Sequence, residues 1–196
     1  MKTKIPIFPK YLSIFVIGVP LATLTLLFYL APLAASRESI VDLSGSVIRI
    51  DNWELYTGLD PFSTFAYTSG DFLCHQLSER SYFLNGNQIP VCARCLGIST
   101  ALSVGLIAAS YRRFVIGPVM LTVGIAPAFA DVLLQTLTVY ESSNPVRLIT
   151  GLISGLTVAL VISTIRHEIV DIQMQKRNRV HEDSQHNGKR EDDNNE

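Results

Sequence analysis

Three cysteines, Cys74, Cys92 and Cys95, fall within one short stretch of the chain, and His75 directly follows the first. Cys92 and Cys95 are spaced as CxxC, which lets both thiolates turn toward one ion. A third cysteine and a histidine nearby complete the donor set of a tetrahedral zinc site. Cys74, Cys92, Cys95 and His75 are therefore the candidate metal ligands. Adjacent residues project in different directions, so His75 is equally placed to stand behind the ligands or to act as a general base. Two other readings of the thiols stay open. A Cys92–Cys95 disulfide suits an oxidising compartment but leaves Cys74 odd. Alternatively, the thiols are small buried hydrophobes.

Two further groups carry charge in places where charge is costly. Asp131 lies in an otherwise apolar run, and an ionisable group inside a membrane segment faces the protein interior and is functional by default. Gly124, Ala128, Asp131, Gln135 and Thr138 recur at helical spacing and form one small and polar stripe. Asp131, with Gln135 beside it and His75 at the cluster, makes the candidate acid–base set. A carboxyl that is protonated, or capped by Gln135 and a neighbouring helix, is the structural alternative. Arg94 sits between two cysteines, and Arg147 and Asn144 sit at the start of another apolar run. An arginine there can hold a phosphate or carboxylate with its planar fork, or merely anchor at the interface.

The elements that must position these groups are membrane helices. The chain has 196 residues, 48% of them hydrophobic, and a mean hydropathy of +0.30. About twenty apolar residues cross a hydrocarbon core, and four runs approach that length: 11–34, 96–111, 114–140 and 148–166. The second reaches it only when it begins near Cys92, which puts the cysteines at the membrane surface. Pro127 is expected to kink the third, and Gly151 and Gly155 form a GxxxG on the fourth that suits close packing against the third. A cleaved signal peptide is the rival reading of the first run, but that run exceeds the usual length of a signal core.

Basic residues cluster at one end of every run: Lys2, Lys4 and Lys10, then Arg112 and Arg113, then Arg166, Lys176, Arg177 and Arg179. The positive-inside rule makes both termini cytoplasmic. Residues 1–10 are then a cytoplasmic lead, 35–95 an extracytoplasmic loop carrying the Cys/His motif, and 141–147 an extracytoplasmic turn. The charged tail 167–196 has little to bury and is expected to be disordered; His181 and His186 within it are weak metal candidates. The fold class expected is an all-α integral membrane protein with four transmembrane helices. The aromatic-rich stretch 59–77 is too short to span and suits a short interfacial helix. A net charge of −1 gives no electrostatic case for a nucleic-acid partner. No internal repeat, phosphate loop or nucleophile elbow is present.

The motif residues also resemble the signature of domain-of-unknown-function family 2085, small membrane proteins of archaea and bacteria. Its pattern is matched by Cys74, His75 and Gln76, by Arg80, Ser81, Phe83 and Gly86, and by Cys92, Arg94, Cys95 and Gly97. Asp131 and Gln135, then Ser143, Asn144, Arg147, Thr150 and Gly151, match it further on. The likeness covers roughly residues 65 to 160, and Leu96 stands where the family often has Thr. That resemblance implies a fold and a motif but no established activity.

Three functional expectations follow. One is a metal-dependent membrane enzyme, with zinc or a similar divalent ion, acting on a lipid-linked or anionic substrate at the outer face. The second is a non-enzymatic, metal-stapled binding, transport or accessory protein in the bilayer. The third is a thiol-redox protein using the CxxC, a motif whose thiol is activated at a helix N-terminus.

Overall fold

The computed structural model describes residues 12–193, with side chains to residue 179 except that of residue 178. The expected cytoplasmic lead 1–10 with its three lysines lies outside the described residues, as do the side chains of His181 and His186. Among the described residues, four helices are long and apolar enough to cross a membrane. They are α1 (Leu12–Ala34), α4 (Ala93–Tyr111), α5 (Pro118–Leu137) and α6 (Asn144–Asp193, of which Asn144–Arg177 is the apolar candidate). Between α1 and α4 lie α2 (Trp53–Tyr56), α3 (Pro61–Leu73), a single 3-10 turn, and a hairpin of β1 (Phe83–Leu84) and β2 (Asn87–Gln88). The protein is a helical membrane protein, as expected, with one two-stranded hairpin added.

Glycine decides which helices meet. A Cβ on Gly151 would lie 2.3 Å from the Arg94 carbonyl oxygen, one on Gly155 2.3 Å from that of Ile98, and one on Gly97 2.4 Å from that of Leu148. Both glycines of the GxxxG therefore seat α6 against α4. This corrects the expected pairing of the third and fourth spans: α6 packs most extensively on α4, and α5 rests more lightly on α6. The lighter contact has its own small residue, because a Cβ on Gly124 would meet Thr157 Oγ1 at 2.0 Å. On the far side of α4 lies α1, which brings Gly18 against Leu106 and Ile107.

The segment from 35 to 92 is a folded cap rather than a plain loop. Asp60 caps α3, accepting from the amides of Phe62 and Ser63, and Pro61 supplies the first helical residue. A hydrogen bond from the Ser63 side chain, with those from the two amides, holds the Asp60 carboxyl below its ordinary pKa. The hairpin turns at Asn85 and Gly86, both at positive φ (54° and 76°), the Asn-Gly signature of a tight two-residue turn. Where the cap backbone is irregular, buried amide side chains satisfy it. Asn87 accepts from the Ile40 amide (3.0 Å) and donates to the Pro32 and Ser36 carbonyls (2.9 Å each). Gln88 accepts from the Leu43 amide (2.9 Å) and donates to the Gln76 carbonyl. Phe28, Ile40, Leu43, Tyr56, Tyr67, Ile89 and Cys74 fill the core beneath. Burial raises the phenol pKa of both tyrosines, and at Tyr56 the Asp71 charge adds to it. On α3 the aromatic side chains of Phe62, Phe65 and Phe72 point outward, as the expected interfacial helix requires.

Two expectations about the later segments are corrected. The span expected at 114–140 is helical from Pro118 to Leu137, because Gly117-Pro118 sets the start. The tail expected to be disordered from 167 continues α6 to Asp193. Residues 167–193 are rich in Glu, Gln, Lys and Arg, good helix formers with no proline among them. A helix already formed in the apolar segment needs no new nucleus to propagate through them.

Candidate metal centre

Three elements bring the cysteines together. Cys74 ends α3 in an extended conformation, its amide bonded to the Gly70 carbonyl at 2.8 Å. Gly70 is needed there, since a Cβ would lie 2.1 Å from the Pro90 carbonyl oxygen. Cys92 is the N-cap residue of α4, and its amide donates to Cys74 Sγ at 3.2 Å. Cys95 follows in the first turn of α4. The three Sγ atoms lie within 4.8 Å of one another. A zinc–sulfur bond of about 2.3 Å places tetrahedral sulfurs roughly 3.8 Å apart, so the donor set and spacing fit one ion. All three thiols are free. Hydrogen bonds from the Cys74 and Cys95 thiols hold the Cys92 pKa below its ordinary value. Donating that bond to Cys92 pushes the Cys74 thiol up.

His75 is not in this group. Among the described residues the convergent ligands are the three cysteines, and the His75 side chain is exposed. The extended backbone at Cys74 sends its neighbour the other way. Both line a cavity of about 430 Å³, whose walls are the three cysteines, His75, Arg80, Arg94, Arg147, Val47, Leu73 and Leu77. Three thiols and three guanidinium groups thus share one space.

Gln76 holds this corner closed. It sits at positive φ (51°) with its side chain fully buried. Its carbonyl accepts from Tyr56 Oη at 2.9 Å, and its amide donates to the Pro90 carbonyl at 2.8 Å, two residues before Cys92. One side chain therefore ties the Cys74 segment to the Cys92 segment. Reading the sequence for charge and thiols passes over Gln76; its signal is its place in the Cys-His-Gln motif. Arg80 was likewise visible only as a motif residue.

The remaining candidates form one polar chain. Arg94 Nη2 contacts Asp131 Oδ2 in an ion pair between α4 and α5. Gln135 Nε2 donates to the same carboxylate oxygen at 3.0 Å. Arg147 Nη2 donates to Gln135 Oε1 at 3.3 Å and its Nη1 to Asn144 Oδ1 at 3.1 Å. Asn144 in turn donates to the Ser81 carbonyl at 3.0 Å. Asp131 is buried (6% exposed) and faces inward. Its donors are Arg94 and Gln135. Thr150 spends its hydroxyl on the Val146 and Arg147 carbonyls. The reason is the glycine contact: α4 enters beside α6, and Arg94 reaches the carboxylate first. Asp131 is not in the wall of the cavity; it meets the cavity through Arg94.

Fold and site together define a multi-helix membrane protein with a three-cysteine group at one end of its bundle, able to hold a metal ion. The sequence family described as predicted membrane protein (DUF2085) matches residues 74–161. An uncharacterized protein of Methanocaldococcus jannaschii is 36% identical over 109 residues, covering 53% of this chain and 70% of the relative. An uncharacterized protein of Methanothermobacter thermautotrophicus is 32% identical over 106 residues, covering 52% and 94%. The chain belongs to this family of membrane proteins, domain of unknown function 2085. No solved structure matches it.

Proposed function

We propose that Cys74, Cys92 and Cys95 hold a zinc-like divalent ion with one coordination position turned to the cavity, and that the protein handles an anionic, lipid-linked substrate there. The observation that carries this reading is the convergence of three Sγ atoms on the wall of a cavity that also holds three arginines. Four protein ligands make a closed structural site, whereas three leave a place for a ligand from outside. A metal in such a position supplies Lewis-acid polarisation of a bound oxygen.

The chain's own groups then have separate tasks. Arg80 and Arg147 bind the anion. His75, exposed on the cavity wall, takes or gives a proton. Asp131 is a positioning residue: it fixes the guanidinium of Arg94, and Gln135 links that pair to Arg147. The positive-inside distribution puts both termini in the cytoplasm and the cysteine end outside. Elemental analysis of reduced, purified protein should find about one ion per chain, lost in Cys74→Ser, Cys92→Ser and Cys95→Ser.

A second reading has its own support. Cys92 stands at the N-terminus of α4 with its pKa lowered by hydrogen bonds from the Cys74 and Cys95 thiols, the setting of a redox-active CxxC. Metal-free protein carrying a Cys92–Cys95 disulfide would favour it.

A further inference from the structure

Resting on the reading above, we infer that the substrate is a phosphodiester amphiphile: its phosphate lies on Arg80 and Arg147, its apolar arm on the cysteine side, and a hydroxylated head in a second cavity. That second cavity, of about 250 Å³, adjoins the first and shares Arg80 and Arg147 with it as a common wall. The two spaces differ in chemistry. On the cysteine side the uncharged walls are Val47, Leu73 and Leu77. On the other they include Gln135, Thr138, Tyr140 and Ser142, which offer amide and hydroxyl groups.

Arg147 is the charge that asks for an anion. It is 6% exposed, and its hydrogen bonds go to two neutral amide oxygens, those of Asn144 and Gln135. Among the described residues no carboxylate pairs with it, whereas Arg94 has Asp131. Arg80 is half-exposed and pairs only with its exposed neighbour Glu79. Buried cations are paired or else bind an anion, and a planar guanidinium presents two parallel donors to phosphate oxygens. Ser142 points the same way. It is 4% exposed, stands in the wall of the second cavity, and its hydroxyl has no hydrogen-bond partner.

A phosphate at a partition with chambers on both sides carries a substituent on each, which makes it a diester. Its level favours a lipid over a free phosphate. At this end of the bundle α4 and α6 begin and α1 and α5 finish, so the arginines stand where a bilayer carries its headgroups.

The test uses full-length protein in phosphatidylcholine nanodiscs doped with phosphatidylglycerol, or with phosphatidylethanol, which has the same charge and no head hydroxyls. Lipid retention is read by native mass spectrometry, and metal content is measured in each sample. Wild type should prefer phosphatidylglycerol about tenfold, the worth of one or two satisfied hydrogen bonds. Arg80→Gln, at a half-exposed position, should weaken retention of both lipids about tenfold. Ser142→Val should erase the preference and leave phosphatidylethanol retention unchanged. Equal retention of the two lipids by wild type, or no effect of Arg80→Gln, would overturn the inference. So would retention of inorganic phosphate in pure phosphatidylcholine discs together with no lipid preference in the doped discs. Intact metal with no lipid preference would sink this inference alone. A lipid preference without metal would sink the metal reading alone.

Discussion

Arg94 on α4 and Asp131 on α5 form an ion pair within the helical bundle, and Arg94 also stands between the two cysteines of the CxxC. The pair therefore joins the least embedded span to the cysteine end of the molecule. Breaking a buried pair from one side leaves a charge uncompensated, at a cost of about 3–5 kcal/mol. Asp131→Asn and Arg94→Gln should each lower stability in a denaturant titration. The double variant should recover at least about 1 kcal/mol of their sum. Strictly additive losses would show that the two do not interact. Metal content should survive Asp131→Asn, because its carboxylate is outside the group of three sulfurs.

The glycine seam makes a sharper demand. Gly151→Ala would drive a methyl group to 2.3 Å from the Arg94 carbonyl oxygen, which is backbone and cannot swing aside. We expect a loss of about 1–3 kcal/mol or more, with reduced metal retention as the first turn of α4 is displaced. Gly58→Ala, where an added Cβ meets nothing within 4 Å, is the matched control and should be neutral. Similar melting curves for the two variants would contradict the close approach.

Gln76 should matter to the metal without touching it. Removing its bonds to Tyr56 and Pro90 frees the Cys74 segment from the Cys92 segment. Supporting residues of this kind typically alter metal affinity about 10–100-fold. Chelator competition on Gln76→Ala should show a drop of that size, and wild-type affinity would remove Gln76 from the account.

What the sequence made legible, and what it hid, divides along a physical line. Apolar runs and a CxxC are local facts, so four spanning helices and the cysteine group could be read directly. Partnership is not local. Gly151 and Gly155 announce a close contact but not with what, and the contact proved to be the Arg94 and Ile98 carbonyls of α4. Asp131 was recognisable as inward-facing because charge in lipid is costly, yet its partner Arg94 followed from that unforeseen helix contact. The cap was least legible, because Gln76, Asn87 and Gln88 act through buried bonds to distant backbone. The local signals there were the aromatic-rich stretch that forms α3 and the Asn85-Gly86 turn. The helical tail followed from propensity that the polar composition had obscured.

Orientation is open to direct labelling. With both termini inside, a cysteine introduced at position 180 should resist an impermeant thiol reagent in intact cells. One introduced at Ser143, in the exposed turn before α6, should react. The reverse pattern would invert the protein in the membrane.

The proposed centre is a metal held by three sulfurs with one position left for an outside ligand. X-ray absorption on reduced, metal-loaded protein reads that shell directly. We expect three sulfur neighbours at about 2.3 Å and one oxygen or nitrogen neighbour at about 2.0–2.1 Å. A metal edge with no sulfur shell would contradict it.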